Sequence, residues 1–290
     1  MEKNYRIKIT IDTDNNDYEY VNNITCIELL DKINKFKNLE IYKYTKRNIY
    51  ECSFDKSIYG ILIYFKDIIN KKIIDKINVI EYVRKLKELF DIIVINIDNE
   101  YIYLTEKKYF KNKTINDHSW YYSIKSFIQV HPTISYKIHK IIFDFMNNYS
   151  FSKNYIGLGG ETSLFSRFKE FESVCYLSNS DSAVDDSIYN NPYIHNIHVD
   201  YNKIKLSEYI KKNTLLTVNI RKNGFTKNLS NEIENINISE ILYIGCSDKT
   251  IIKDSKIILS NNFTIINKKR FKMFFETNLF MNIIFFKRID

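Results

Sequence analysis

The second half of this 290-residue chain alternates between strand-like and helix-like segments, which restricts the folds that it can adopt. Apolar runs at Val174–Leu177, Leu215–Ile220 and Ile241–Gly245 are separated by segments of helical or polar character. Strands that alternate with helices favour a parallel sheet with crossover helices on its faces. Two further runs, Phe263–Asn267 and Ile283–Phe286, are predicted to close that sheet as an antiparallel pair. The pattern therefore predicts an α/β domain.

Glycine is rare, and its placement is informative. The chain has six glycines, and three of them, Gly157, Gly159 and Gly160, lie in one short segment between a predicted strand and a predicted helix. A chain so poor in glycine has it where the backbone turns sharply or approaches a ligand closely. A glycine-rich turn from strand to helix is the usual nucleotide-binding arrangement of a doubly wound sheet. A plain tight turn is the alternative interpretation.

One cysteine stands where an enzyme would present a nucleophile. The apolar run Ile241–Gly245 ends at Cys246, and Ser247 begins a polar turn. An α/β enzyme presents a reactive side chain in this way, at the carboxyl end of a strand. The alternative is a small buried apolar residue, since free cysteine is among the most buried residue types. We take Cys246 as the candidate nucleophile.

The cysteines and histidines argue against a metal centre. The four cysteines, Cys26, Cys52, Cys175 and Cys246, are widely separated, which excludes a zinc knuckle and an iron–sulfur cluster with clustered ligands. The histidines show no metal-ligand spacing either, so we expect no metal. So few cysteines make a disulfide framework improbable, and we expect the cytoplasm or another reducing intracellular compartment.

Composition limits the partners. With 44% apolar and 27% charged residues, the chain can form a packed core, and no apolar run reaches the roughly 18 residues that span a bilayer. We therefore expect no membrane association. We also expect the protein to be a monomer. The net charge of +8 favours a polyanionic partner such as RNA, with a solvated lysine-rich surface as the alternative. The basic run Asn267–Lys272 is interpreted as a solvated loop, with phosphate contact as its alternative.

The first half has a different character. Strand-like runs occur with helical patterns interspersed, and Ile92–Ile97 with Tyr101–Leu104 is predicted to form a hairpin. This arrangement predicts an α+β domain. The polar stretch Lys111–His118 separates the halves, so the predicted domains are residues 1–115 and 116–290.

Several stretches carry a family resemblance through their joint order. They are Lys46–Phe54, similar to Tyr-Arg-Asn-Arg-x-Glu-Phe; Phe127–Pro132, similar to Phe-x-Gln-x-Asn-Pro; Tyr155–Gly160, similar to Tyr-Cys-Gly-x-Gly; Asn219–Phe225, similar to Asp/Asn-Pro-Pro-Arg-x-Gly-Leu; Tyr243–Ser247, similar to Tyr-x-Ser-Cys-Asn; and Met273–Asn278, similar to Met-Phe-Pro-x-Thr-x-His-x-Glu. Together they resemble the tRNA (uracil-5-)-methyltransferase family, which makes 5-methyluridine in RNA.

The resemblance implies a fold, a cofactor and a site. It implies a Rossmann-like S-adenosylmethionine-dependent methyltransferase domain, preceded by an α+β domain of RNA-binding type, and RNA, tRNA in particular, as the partner. Cys246 would add covalently to C6 of uracil. The implied cofactor contacts are Gln129, Tyr155, Gly157, Gly159, Ser178 and Asn219; Asn219 would also orient the uracil ring, and Arg47 would contact RNA.

Two departures from the family pattern bear on catalysis. The family's proton-accepting Glu is matched by Met281, and the acidic residue that would hold the ribose hydroxyls is matched by Ser178. Glu276 and Asp248 are candidate substitutes for the base. Two main hypotheses therefore stand: a uridine C5 methyltransferase, and a catalytically inactive methyltransferase-like protein that binds RNA or serves in an assembly. A methyltransferase with another substrate is a third.

Overall fold

The computed structural model describes residues 7–10, 31–32, 34–36, 38–39, 45–55, 58–65, 79–97, 100–113, 115, 119–126, 132–220, 224–235, 237–272 and 280–289. The chain divides into two compact units. The first is Met1–Lys113 with Tyr121–Lys125, and the second is Thr114–Trp120 with Ser126–Asp290. The domain boundary between residues 115 and 116 stays a prediction.

A five-stranded sheet organises the first unit, in the order β1-β2-β3-β4-β5. Its elements are β1 (Ile7–Thr10), β2 (Thr45–Asp55), β3 (Ile58–Phe65), α1 (Val79–Leu89), β4 (Ile92–Ile97) and β5 (Glu100–Tyr103). β3 and β4 are parallel, and the other neighbours are antiparallel, so the predicted hairpin of β4 and β5 is confirmed. Ile61–Ile63 and Ile92–Val94 are fully buried, as expected of strands covered on both faces.

The second unit is built on a seven-stranded sheet, preceded in the chain by a two-stranded sheet of β6 (Tyr109–Lys113) and β7 (Ser119–Ser123). Its strands are β8 (Asn154–Leu158), β9 (Ser173–Ser178), β10 (His195–His198), β11 (Thr214–Val218), β12 (Glu240–Gly245), β13 (Phe263–Lys272) and β14 (Phe280–Arg288). Its helices are α2 (Pro132–Asn148), α3 (Thr162–Phe165), α4 (Asp181–Asn190), α5 (Lys227–Asn235) and α6 (Asp248–Leu259). α2 begins on Pro132, where a proline costs no hydrogen bond.

The strand order of this sheet is β10-β9-β8-β11-β12-β14-β13. The first five strands are parallel, and β14 runs antiparallel to both of its neighbours. From β8 the chain builds β9 and β10 on one side, and then β11 and β12 on the other. This reversal places a crevice outside the carboxyl ends of β8 and β11, where doubly wound sheets bind their ligands. The prediction of an α/β fold with a final antiparallel pair is confirmed.

The core explains why the local signals for these strands were strong. Every residue of β8 and β11 is buried, and β12 is buried from Glu240 to Ile244. Strands covered by helices on both faces must be apolar throughout, which produces continuous apolar runs in the sequence. Among the described residues, no helix is both long and apolar enough to cross a membrane.

Two local predictions differ from the structure. The sequence after the glycine segment predicts a helix over Thr162–Phe171. α3 ends earlier, at Phe165, because the next residues continue in tighter turns, with the backbone N–H of Phe168 donating to the carbonyl oxygen of Phe165 (3.0 Å). The basic run Asn267–Lys272 is not a loop. It is the second half of β13, paired with β14.

Candidate functional site

A glycine turn follows β8 at the crevice between β8 and β11. Gly159 and Gly160 have positive φ angles of 73° and 49°, which favour glycine. A Cβ atom on Gly159 would lie 2.8 Å from the carbonyl oxygen of Asn219, and one on Gly160 would lie 2.7 Å from the Cγ of Asn219. Glycine is therefore required here both by conformation and by the close approach of the turn to the end of β11.

Buried groups hold this turn from inside. The Tyr155 hydroxyl donates to the carbonyl oxygen of Thr162 (2.6 Å), and the Thr162 hydroxyl donates to the carbonyl oxygen of Gly159 (2.7 Å). Burial raises the pKa of Tyr155, so its hydroxyl remains a neutral donor. A Cβ on Gly157 would lie 2.7 Å from the Thr162 hydroxyl. Tyr155 and Gly157 thus support the turn from the core.

Neutral polar side chains follow the strands on either side of β8. Asn219 directly follows β11, is half-buried, and donates its backbone N–H to the carbonyl oxygen of Leu158 (2.9 Å). Ser178 ends β9 and is buried, and its hydroxyl accepts from the backbone N–H of Ser180 (3.2 Å). The crevice is therefore flanked by an amide and a hydroxyl, at two of the six positions for which the family resemblance implies cofactor contacts.

Cys246 is exposed at the same edge of the sheet. It follows β12, the strand next to β11, and it precedes Ser247, the N-cap of α6. The Ser247 hydroxyl accepts from the backbone N–H of Thr250 (3.4 Å). The positive end of the α6 dipole favours negative charge near its first turn, which is the region that Cys246 adjoins. The structure thus presents the thiol to solvent, as the nucleophile hypothesis requires.

A buried carboxylate, Asp254, holds β12, the strand that precedes Cys246, against its neighbours. Asp254 of α6 is fully buried, and its Oδ2 accepts from the Tyr243 hydroxyl (2.6 Å) and from the backbone N–H of Phe225 (2.9 Å). Gly224, with a φ of 70°, passes so close that a Cβ there would overlap Asp254. Asp254 therefore connects β12 with the segment that enters α5.

The neighbouring strands β13 and β14 contribute two residues that the sequence analysis did not single out. Arg270 of β13 pairs with Asp248 (Nη2 to Oδ2, 2.6 Å), and Asn282 of β14 donates to the other oxygen of Asp248 (3.2 Å). Asn282 also lies opposite Gly245 in the sheet. A single polar residue in the apolar run of β14 was a usable signal for Asn282. Arg270 lies in the basic run Asn267–Lys272, but no local signal indicated its ion pair with Asp248, because that contact depends on strand pairing.

The remaining candidates are placed as follows. Met281 is buried in β14, opposite Phe271, and brings no proton acceptor to the site. Arg47 lies in β2 of the first unit. Gln129 and Glu276 lie outside the described residues, so the contact proposed for Gln129 stays a prediction. No group of three histidine, cysteine, aspartate or glutamate residues suited to a metal occurs within the described parts of the chain.

Cys175 and Cys246 are expected to differ sharply in reactivity. Burial raises the pKa of the Cys175 thiol to about 11, whereas Cys246 is exposed. Because the thiolate is the reactive form, a maleimide should modify Cys246 and spare Cys175 in the folded protein near neutral pH. Mass spectrometry of proteolytic peptides, with a denatured sample as control, measures both sites. Comparable modification of Cys175 in the folded sample would contradict its burial.

Comparison with known proteins finds similarity in structure. No protein-family model matches the chain, and no curated protein sequence matches it. The Pyrococcus abyssi tRNA (uracil-54, C5)-methyltransferase, solved with S-adenosyl-L-homocysteine, matches with a TM-score of 0.64 and 13% identity, over 98% of this chain and 76% of that chain. The M. jannaschii tRNA m1G37 methyltransferase matches with a TM-score of 0.46 and 15% identity, over 87% of this chain and 77% of that chain. The first likeness shows that the chain has the Rossmann-like fold of S-adenosylmethionine-dependent methyltransferases.

Proposed function

We propose that the chain is an S-adenosylmethionine-dependent RNA methyltransferase that acts on C5 of uridine, in tRNA, through a covalent adduct of Cys246. The observation that carries the proposal is the exposed thiol of Cys246 at the carboxyl end of β12, beside the crevice of the glycine turn. The likeness to a tRNA uracil C5 methyltransferase supports it through the fold.

The chemistry accounts for the thiol. C5 of uracil is a poor nucleophile, and addition of the Cys246 thiolate to C6 makes C5 an enolate-like carbon that can accept a methyl group. S-adenosylmethionine, when bound, supplies that methyl group. Removal of the C5 proton by a base then allows the thiolate to leave, which regenerates the enzyme. The uracil must be out of its stack to reach Cys246.

The described residues fit the cofactor through neutral groups. The glycine turn has no side chain at Gly159 or Gly160, and Ser178 and Asn219 place a hydroxyl and an amide at the ends of the flanking strands. These groups can hydrogen-bond the polar parts of an adenosyl ligand. Ser178 provides a neutral contact where a carboxylate would provide a charge-assisted one, so the ribose would be held more weakly. Gln129 remains a proposed further contact.

A catalytically inactive RNA-binding protein is the second candidate function. Met281 is buried and cannot accept a proton, and both oxygens of Asp248 are engaged by Arg270 and Asn282. These positions favour a protein that binds RNA through the same fold without turnover. Arg47 of β2 is the residue that we propose to contact RNA from the first unit under either function.

Analysis of the methylated product tests the proposal. The full chain is incubated with methyl-labelled S-adenosylmethionine and tRNA transcripts that carry no modification, and the RNA is then digested to nucleosides. We expect the label in 5-methyluridine, identified by mass and retention. Label in another nucleoside would disprove uridine C5 as the target and leave the methyltransferase class intact. Binding of RNA without any methyl transfer would favour the inactive protein.

A further inference from the structure

Positive charge is confined to one half of β13, the last strand of the seven-stranded sheet. The half from Phe263 to Asn267 carries no charged residue, and a β-bulge between Ile265 and Asn267 separates it from the other half. In the second half four of five residues are basic, and all four are exposed. These four residues form the basic strip: Lys268, Lys269, Arg270 and Lys272.

The basic strip lies at the edge of the sheet that carries Cys246. β13 is antiparallel to β14, and β14 is antiparallel to β12, so β13 and β12 run in the same direction. The register pairs Arg270 with Asn282, and Asn282 with Gly245. Arg270 is thus two inter-strand spacings, roughly 10 Å, from the residue that precedes Cys246.

Protection of the sheet edge does not explain this distribution. Lysines often blunt edge strands against pairing with other chains. Such protection would be most useful in the uncharged half of β13, where Ile265 and Ile266 are both more than 40% exposed. The lysines are instead concentrated in the half nearest to Cys246, which indicates a role connected with the candidate site.

The arginine and the lysines of the strip differ in their contacts. Arg270 is fixed by its ion pair with Asp248 and by its stacking on Phe280, with 3.8 Å from the guanidinium carbon to the ring centroid. Within the described parts of the chain, Lys268, Lys269 and Lys272 form no ion pair with a carboxylate. Lys268 and Lys272 lie on one face of the strand and Lys269 on the other, so the three positive charges are available to an anionic partner that follows the exposed edge of the sheet over roughly 13 Å.

We propose that the basic strip binds the sugar–phosphate backbone of the RNA whose uridine reaches Cys246. The inference rests on the proposed function for its choice of RNA as the partner. Lysine contacts to phosphate supply a sequence-independent, salt-dependent part of the affinity and position the strand. Binding of the RNA backbone beside the thiol would deliver an unpaired uridine to Cys246. Residues at the crevice would then recognise the base.

The salt dependence of RNA binding tests the basic strip. The full chain with Lys268→Ala, Lys269→Ala and Lys272→Ala is compared with wild type by fluorescence anisotropy on a labelled single-stranded RNA. Each phosphate contact contributes about 0.7 to the slope of log K against log salt, so the slope should fall by about 2. By the same relation, affinity near 0.1 M salt should fall on the order of 100-fold.

A matched variant removes the same charge elsewhere. Lys211 and Lys212 precede β11 at the opposite edge of the sheet, and Lys256 lies in the last turn of α6; all three are exposed. Their triple alanine variant should keep the wild-type slope, and thermal unfolding should show that both variants are folded. An equal loss in both variants, or no loss in the strip variant, overturns the proposal. Anionic lipid vesicles serve as an alternative polyanion. A strip variant that loses vesicle binding but retains RNA binding also overturns the proposal.

The outcome is separable from that of the proposed function. A strip variant with a reduced slope supports backbone binding even when the wild-type chain transfers no methyl group, in which case only the enzyme proposal fails. Methyl transfer by wild type, together with an unchanged slope in the strip variant, disproves the strip alone.

Discussion

Replacing Cys246 with alanine is expected to abolish both methyl transfer and covalent capture of RNA. Loss of an attacking nucleophile removes the step that activates C5, and such losses reduce turnover by at least ~10³-fold. Because Cys246 is exposed at the start of α6, its replacement leaves no buried cavity, so stability should change by less than about 0.5 kcal/mol. Activity and stability should therefore separate cleanly in this variant.

RNA that contains 5-fluorouridine measures the nucleophile directly. Fluorine at C5 cannot be removed as a proton is, so the adduct accumulates and migrates as a larger species on a denaturing gel. Wild type should form it and Cys246→Ala should not, while Cys246→Ser, which preserves the size of the side chain, should also fail. Peptide mapping should place the RNA on Cys246. Methyl transfer by Cys246→Ala above one tenth of the wild-type rate, roughly 1.4 kcal/mol in the barrier, would refute covalent catalysis at this residue.

Replacing Asp254 with alanine is expected to lower the free energy of unfolding by about 3–5 kcal/mol. The substitution removes a fully buried carboxylate and leaves the Tyr243 hydroxyl and the Phe225 N–H without their acceptor. Each stranded donor costs about 1–3 kcal/mol. The Lys253 ammonium, 3.3 Å from Asp254 Oδ1, is half exposed and adds little to this cost.

Equilibrium denaturation with urea measures the loss. Tyr243→Phe removes one donor and leaves Asp254 bonded to Phe225, so it should cost only about 1–2 kcal/mol. Asp185→Ala, on the exposed side of α4, is the matched control and should change stability by less than about 0.5 kcal/mol. An Asp254→Ala loss under about 1 kcal/mol would show that the buried bonds to Asp254 are not maintained in solution.

The sequence predicted those parts of the fold that leave a local signal. β8, β11 and β12 are continuously apolar because helices cover both faces of the sheet, and the alternation of such runs with helical segments predicted a parallel sheet with crossover helices. The glycine turn was visible because glycine is otherwise so scarce. The same burial hides side-chain direction, since a strand buried on both faces shows no alternation. The sequence therefore could not predict that the Tyr155 side chain points into the core.

The register of the strand pairs is the part that the sequence did not reveal. Arg270 and Asn282 reach Asp248 only because β13 and β14 pair in one register, and that register links residues distant in the chain. The lysine-rich half of β13 lacks the apolar periodicity of a strand and is held by its partner. The cofactor and RNA roles assigned to Gln129 and Arg47 stay predictions.

The reversal of strand order around β8 also governs how a newly made chain acquires its crevice. β8 and β11 are neighbours in the sheet, yet β9 and β10 are synthesised between them. Closing such long loops is slow relative to forming local helices, because the chain loses conformational entropy before the strand pair contributes any favourable free energy. A ribosome-bound chain would therefore gain its ligand-binding crevice only after β11 has emerged and paired. Ligand binding during refolding should accordingly lag behind the early gain of helical signal.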